Sequence, residues 1–474
     1  MELAMRTTMS KIIIFALMIA QVCQGRVLLQ NPFKGIPGFV NFPNQNPPVS
    51  FPDFVFEQFP SLRPVAPPMA GPTPPKPILT PPRPIVPVPV PSPVLPPTPA
   101  PVGSTSAAVN DFGFDVLREL RKGMPAENVV FSPFSISSAF SLLYFGTKGA
   151  TRTEIEQAFG FQNGVVPRAL LETARRFGGN ATPSSGPTVN IANRAYIDDG
   201  FRVLDSYRTA VGTDAFRVVD FANAMASKDE INDFVDMLTR GLIKDLIPDG
   251  FITPSTQAVL VNAIYFKAMW VKAFNKDDTR KSEFRGTGGS SMTDFMSIRG
   301  ETFPTKNVPQ LDGRMLQLPY EGDRFSMFIL LPNTDGGFSK AEAGLTSSLN
   351  LFKNLTPTKF ALVKIPKWEL EQSMKMLKNY LMALGVKAAF SGQADLSGLS
   401  DVGSLSVSDV VHRAKIIVDE EGTEAAAATA IGIVRTSLPV GPPPPQFVAD
   451  HPFLFFIVDT KAGDVFFQGT VTSF

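Results

Sequence analysis

The chain has 474 residues, with 44 basic and 43 acidic side chains and a formal net charge of +1. That length allows two to four domains. The charge balance argues against nucleic acid or an acidic membrane as the main partner. Hydrophobic residues make up 44%, enough for a large core, and 25 of the 44 prolines fall between Pro32 and Pro101, so the proline excess is local.

Residues 1–25 read as a signal peptide. Arg6 and Lys11 supply a positive start, Ile12 to Val22 is an apolar run too short to span a bilayer, and Cys23-Gln24-Gly25 offers a cleavage point after Gly25. Cys23 is the one cysteine, so cleavage there leaves a secreted chain without disulfides, stabilised by its core alone. Asn180-Ala181-Thr182 and Asn354-Leu355-Thr356 are glycosylation sequons, each followed by a proline that disfavours its use. Residues 26–108 form a disordered, proline-rich, low-complexity extension. Its richest part, Pro84 to Pro101, is expected to run as polyproline II, because proline fixes φ and removes the backbone donor. The extension serves as a stiff spacer or as a docking segment for a partner with an aromatic groove.

The globular part covers residues 109–474. Asp111 is expected to cap a helix whose Phe114, Leu117 and Leu120 share one face and which stops at Gly123. Thr151 and Glu154 suggest a capping box for a second helix ending near Gly160. Gln372 to Leu384 suggests a third, with Met374, Leu377, Leu381 and Leu384 inward. Continuous apolar runs at 258–266, 326–331, 454–458 and 465–467 read as buried strands, the last two joined by a turn at Lys461-Ala462-Gly463. The fold class is therefore α+β, with helices packed around large mixed sheets.

Catalytic equipment is sparse. The only histidines are His412 and His451, no Gly-x-Ser-x-Gly elbow or phosphate-binding glycine loop is present, and no cysteine remains for a nucleophile or a metal site. The chain reads as a non-enzyme without metal or cofactor.

The most informative segment is Glu420 to Ser437, EEGTEAAAATAIGIVRTS. Its alanines favour a helix, but Gly422, Gly432 and the Pro442–Pro445 run oppose one, and a loop between two strands fits better. Read with period two, Thr423, Ala425, Ala427, Thr429, Ile431 and Ile433 fall on one side, and Glu424, Ala426, Ala428 and Ala430 on the other. Such a loop can become a central strand without burying a charge or a bulky side chain, which makes it a latent switch.

From about residue 108 to its end the chain resembles a serpin of the inhibitory type, similar to secreted arthropod haemolymph serpins. Asn128 to Ile136 (NVVFSPFSI), Leu260 to Lys267 with Trp270, Val411-His412-Arg413-Ala414, Pro452 to Phe455, and Phe466 to Gly469 carry the resemblance in the right order. Ala268 departs from it, standing where the family usually has glycine. The resemblance implies an exposed reactive-centre loop that a serine protease attacks, forming an acyl-enzyme that is trapped when the cleaved loop inserts into the main sheet. It implies a hinge at Glu420, Glu421, Gly422, Thr423, Glu424, Ala425, Ala426, Ala427, Ala428 and Thr429. It also implies a polar shutter under the sheet at Ser132, Ser135, Asn262 and His412, and a breach at Trp270, Lys367 and Glu420 where the loop enters.

The reactive bond is Arg435–Thr436 on chemical grounds, since a guanidinium suits the acidic pocket of a trypsin-like enzyme. Counting the usual loop length from Glu420 favours Thr436–Ser437 instead. The partner implied is an extracellular serine protease held in a covalent acyl complex by a monomeric inhibitor, within an immune cascade by analogy. The alternatives are a non-inhibitory serpin and an interaction protein acting through the proline-rich extension.

Overall fold

The computed structural model describes residues 102–474 except 162–163, 178–186, 375–376 and 424–442. The signal peptide, the proline-rich segment to Pro101, Asn180, and the loop residues Glu424, Ala425, Ala426, Ala427, Ala428, Thr429, Arg435, Thr436 and Ser437 lie outside the described residues.

Helix α1 (Val102–Gly123) leads to β1 (Val129–Phe131), α2 (Pro133–Tyr144), α3 (Gly149–Phe159) and α4 (Val165–Phe177). Strand β2 (Thr188–Asp198) then passes through α5 (Asp205–Val211) to β3 (Phe216–Val219), α6 (Ala224–Leu238) and the long β4 (Ala258–Met269). Next come β5 (Arg280–Gly286), β6 (Gly289–Arg299), β7 (Thr302–Val308), β8 (Gly313–Pro319) and β9 (Phe325–Pro332), followed by α7 (Phe338–Ala343), β10 (Thr356–Lys359), β11 (Leu362–Pro366) and β12 (Trp368–Met374). The chain ends with α8 (Leu377–Ala383), β13 (Asp409–Val418), β14 (Gly422–Thr423), β15 (Gln446–Val448), β16 (Phe453–Asp459) and β17 (Asp464–Val471).

The strands form a seven-stranded sheet in the order β1-β17-β16-β9-β8-β7-β10, a four-stranded sheet β15-β11-β6-β5, and a six-stranded sheet β12-β13-β14-β4-β2-β3. Every residue of β9, β16 and β17 is buried, which is why those runs read as continuously apolar. All of α2 is buried as well. Ser132 caps it by accepting from the Ser135 N–H at 3.0 Å, and Pro133 follows at the first turn, where a missing donor costs nothing. Phe134 of α2 stacks on Phe466 of β17 at 4.2 Å, joining the helix to the seven-stranded sheet.

The six-stranded sheet carries a core on each face. Leu260 and Ile264 of β4 with Val410 and Ala414 of β13 join the main core, whereas Val259, Val261, Ala263 and Val411 face α6 and the segment around Ile243, Leu246 and Ile247. The alternation follows from the two-residue period of a strand.

Three local expectations are corrected. Helix α1 begins at Val102, and Asp111 caps nothing within it; its carboxylate accepts from the Ser347 N–H at 2.8 Å and the Ser347 hydroxyl at 2.6 Å. Helix α3 begins at Gly149. Thr151 accepts from the Asp395 N–H at 2.9 Å, and Glu154 accepts from the Lys387 and Ala388 N–H groups at 2.7 Å each, so both side chains serve distant backbone rather than a capping box. Residues Gln372 to Met374 belong to β12, paired with β13 from Trp368↔Val418 to Met374↔His412, and α8 covers Leu377–Ala383. Gln372 Oε1 accepts from the Val130 N–H at 2.9 Å. Of the expected inward faces of α1 and α8, Phe114, Leu117, Leu120, Leu377 and Leu381 are fully buried, whereas Leu384 lies past the end of α8 and is half-buried.

Candidate functional site

The six-stranded sheet is parted at its head. Strands β13 and β4 pair in parallel from Asp409↔Val259 to Ala414↔Ile264. Beyond that, β14 stands between them, with Thr423 opposite both Val418 and Ala268 and Gly422 opposite Met269. Gly422 is required by this close approach: a Cβ there would meet the Ala268 carbonyl oxygen at 2.1 Å. Asp419 shapes the turn from β13 into β14, its Oδ1 accepting from the Glu421 and Gly422 N–H groups at 2.9 and 3.2 Å.

Around this head the expected breach residues converge. Trp270 is buried, donates its indole N–H to the Asp419 carbonyl at 2.9 Å and its backbone N–H to the Glu421 carbonyl at 2.9 Å. Its ring stacks on Tyr320 at 4.4 Å and 11°. Glu420 is almost wholly buried, accepting from Lys367 Nζ at 2.8 Å and the Thr279 hydroxyl at 2.6 Å. Burial pushes the Glu420 carboxyl up, but the hydrogen bonds from Lys367 and Thr279 outweigh it and hold it below the usual range. Glu421 pairs with Lys276. Thr423 is fully buried, 2.7 Å from the Tyr320 hydroxyl. Burial raises the Tyr320 pKa steeply, so the phenol keeps its proton and can donate to Thr423.

Lower on the same seam the expected shutter residues meet. His412 of β13 and Asn262 of β4 are register partners, and Asn193 of β2 is the partner of Asn262 on the other side. His412 Nε2 accepts from the Ser132 N–H at 3.1 Å, which leaves the proton on Nδ1 to donate to Asn262 Oδ1. Asn262 Nδ2 donates to the Ser135 carbonyl at 2.8 Å and the Ser135 hydroxyl at 2.5 Å. Asn193 Nδ2 donates to the Ser135 carbonyl at 3.1 Å and the Ser138 hydroxyl at 2.7 Å. The network thus ties the buried N-terminus of α2 to three strands.

Burial alone pushes the His412 pKa down to about 3. The unfolded chain takes up this proton near pH 6.5, and the native chain resists until about 3. The contribution to stability is complete above pH 6.5 and lost as pH falls toward 3. In His451 the sign is opposite. Burial lowers its pKa, but Asp450 at 2.9 Å, the Pro332 carbonyl at 3.0 Å and Asp335 raise it overall. Its contribution is complete below the unfolded value and lost as pH rises through the folded one. We expect urea midpoints measured from pH 7 to pH 4 to fall more steeply for the wild type than for His412→Gln. Equal slopes would remove His412 from the account.

Asn193, Ser138, Tyr320 and Thr279 were not among the expected site residues. No local signal marks Asn193, because β2 carries Asn190 and Arg194 close beside it. Of the sequons, Asn354 is exposed in a left-handed backbone position just before β10, and Asn180 lies outside the described residues. Arg168 and Arg175 are committed to α5, donating to the Ala210 carbonyl at 2.7 Å and to the Val211 carbonyl.

Residues 107–474 match the family model described as Serpin (serine protease inhibitor). Iripin-2 of Ixodes ricinus is 38% identical over 377 residues, covering 77% of this chain and 92% of that protein. Leukocyte elastase inhibitor A of Rattus norvegicus is 35% identical, covering 78% and 99%. Among solved structures, Serpin48 of the insect Tenebrio molitor, described as a highly specific serpin, superposes with a TM-score of 0.68 at 31% identity, covering 78% of this chain and 98% of that one. Uncleaved ovalbumin gives a TM-score of 0.68 at 28% identity, covering 78% and 100%. A parted six-stranded sheet with a glycine-threonine strand docked at its head is thus found in a chain that belongs to the serpin family of serine protease inhibitors.

Proposed function

We propose that this serpin is a secreted suicide inhibitor of trypsin-like serine proteases, cut at Arg435–Thr436. The protease serine oxygen attacks the Arg435 carbonyl carbon, an ester forms, the bond to Thr436 breaks, and Thr436 leaves with a free amine. Residues from Glu424 onward then continue the strand that Gly422 and Thr423 begin, passing between β13 and β4. This separates the attached protease from the released segment before water hydrolyses the ester. Ser132, Ser135, Asn262 and His412 act as the shutter that must part, and Trp270, Lys367 and Glu420 as the breach. The parted seam is the observation that carries this reading: β14 already occupies the first positions of a central strand.

The finer proposals complete the picture. Residues 1–25 are removed on secretion, the part of residues 26–108 that precedes helix α1 acts as spacer or docking segment, Asn354 and Asn180 are glycan acceptors, and the inhibitor is a monomer needing no cofactor. Support for an inhibitory rather than a carrier role comes from the small side chains of the hinge and from relatives named as inhibitors.

Arg435→Ala separates the two candidate bonds. Inhibition of trypsin is expected to fall by at least about a hundredfold, since the variant loses a charge-assisted bidentate pair in the specificity pocket, while elastase is still inhibited. If trypsin is still trapped and the released peptide begins at Ser437, the bond is Thr436–Ser437.

A further inference from the structure

We propose that Arg413 is a positioning residue for the trapping step: it clasps the seam from the outside and sets how fast the loop inserts. The inference rests on the inhibitory reading above.

Arg413 is the register neighbour of His412, paired with Ala263 of β4, one step from the end of the β13–β4 ladder at Ala414↔Ile264. Its side chain lies on the opposite face from His412. There its Nη1 donates to the Lys244 carbonyl at 2.6 Å, and its Nε donates to Glu371 Oε1 at 2.7 Å. Glu371 sits on β12, which pairs with β13 along its length, so Glu371 and Arg413 move together.

Lys244 belongs to the other side of the seam. Its segment is fastened to α6: Asn232 donates to the Ile247 carbonyl at 3.0 Å and accepts from the Ile247 N–H at 2.8 Å, and the Ile243 N–H donates to Thr239 at 3.1 Å. Helix α6 in turn rests on β2, with Phe234 edge-on to Tyr196 and beneath the Arg194 guanidinium at 3.7 Å. The segment then runs on into β4. Ile243, Leu246 and Ile247 pack over the seam against Val411 on one side and Val261 and Ala263 on the other.

One inserted strand widens the gap between β13 and β4 by about 4.8 Å. The 2.6 Å bond from Arg413 to Lys244 cannot follow that movement while Glu371 holds the guanidinium to β12. The bond therefore exists before insertion and is broken by it. The seam thus has two adjacent side-chain locks, His412 inside and Arg413 outside.

The test uses the full-length protein with Arg413→Gln and Arg413→Lys. Two rates are followed: incorporation of a synthetic peptide of residues 424–434, and movement of a fluorophore on the loop after mixing with trypsin. For Arg413→Gln we expect both rates to rise about tenfold, the loss of one charge-assisted hydrogen bond from the closed state. Arg413→Lys, which keeps the charge beside Glu371 but has no fork, is expected to fall between Gln and wild type. Acylation by trypsin should not change, because the bond is intact throughout that step, and the melting temperature of the cleaved, inserted form should not change, because there the bond is already broken. Insertion rates equal to wild type, or a cleaved form destabilised as much as the intact one, would overturn the clasp. If the wild type traps no protease but peptide uptake still accelerates, the clasp stands and the inhibitory reading fails.

Discussion

Thr423→Arg is expected to turn the inhibitor into a substrate. Thr423 is fully buried at the head of the six-stranded sheet, between Val418 and Ala268, with its hydroxyl on Tyr320. An arginine there must place a guanidinium beside a phenol that burial keeps neutral, with Trp270 stacked behind it. Burying an unpaired charge costs about several kcal/mol, so the hinge stays out of the sheet and insertion slows by orders of magnitude while acylation continues. Titration against trypsin should show the moles of inhibitor consumed per mole of protease rising more than about tenfold, with cut chain accumulating in place of complex. An unchanged stoichiometry would show that trapping does not need position 423 to be buried in the sheet.

The second large effect is thermal. A single cut in the loop should raise the melting temperature rather than lower it. If residues 424–434 join β13 and β4 as a central strand, each gains backbone hydrogen bonds worth about 0.5–1.5 kcal/mol net. Inward Ala425, Ala427 and Thr429 bury further surface at about 25 cal/mol per Å². The sum is of order 10 kcal/mol, which in a chain this size means a rise of at least about 10 °C. Calorimetry of intact and loop-cut protein measures it directly. An equal or lower melting temperature after the cut would show that the segment stays outside.

Much of the scaffold is legible in the residues because the relevant strands are buried on both faces. The runs in β4, β9, β16 and β17 are continuously apolar, and no competing pattern obscures them. The sequence pattern misleads where polar side chains look local but act at a distance. Asp111 satisfies Ser347, and Glu154 satisfies Lys387 and Ala388, partners more than two hundred residues away that no short window contains. The Met374, Leu377, Leu381 spacing suits a helix, yet the alternation of Trp368, Leu370, Gln372 and Met374 with Glu369, Glu371 and Ser373 marks the strand that precedes it in the chain.

The site divides in the same way. Trp270, Lys367, Glu420, His412 and Asn262 follow from family motifs, and the structure brings them together in two clusters on one seam. Asn193, Tyr320 and Arg413 become visible only once β2, β8's trailing turn and the segment after α6 are laid against the sheet.

Covalent trapping by an inserting loop is read from the intact mass of the denatured products after the protein meets equimolar trypsin. The expected product is a species equal to trypsin plus the chain ending at Arg435, resistant to denaturant, with a released peptide beginning at Thr436. Free trypsin accompanied only by cut chain, with no joined species at any time point, would contradict it.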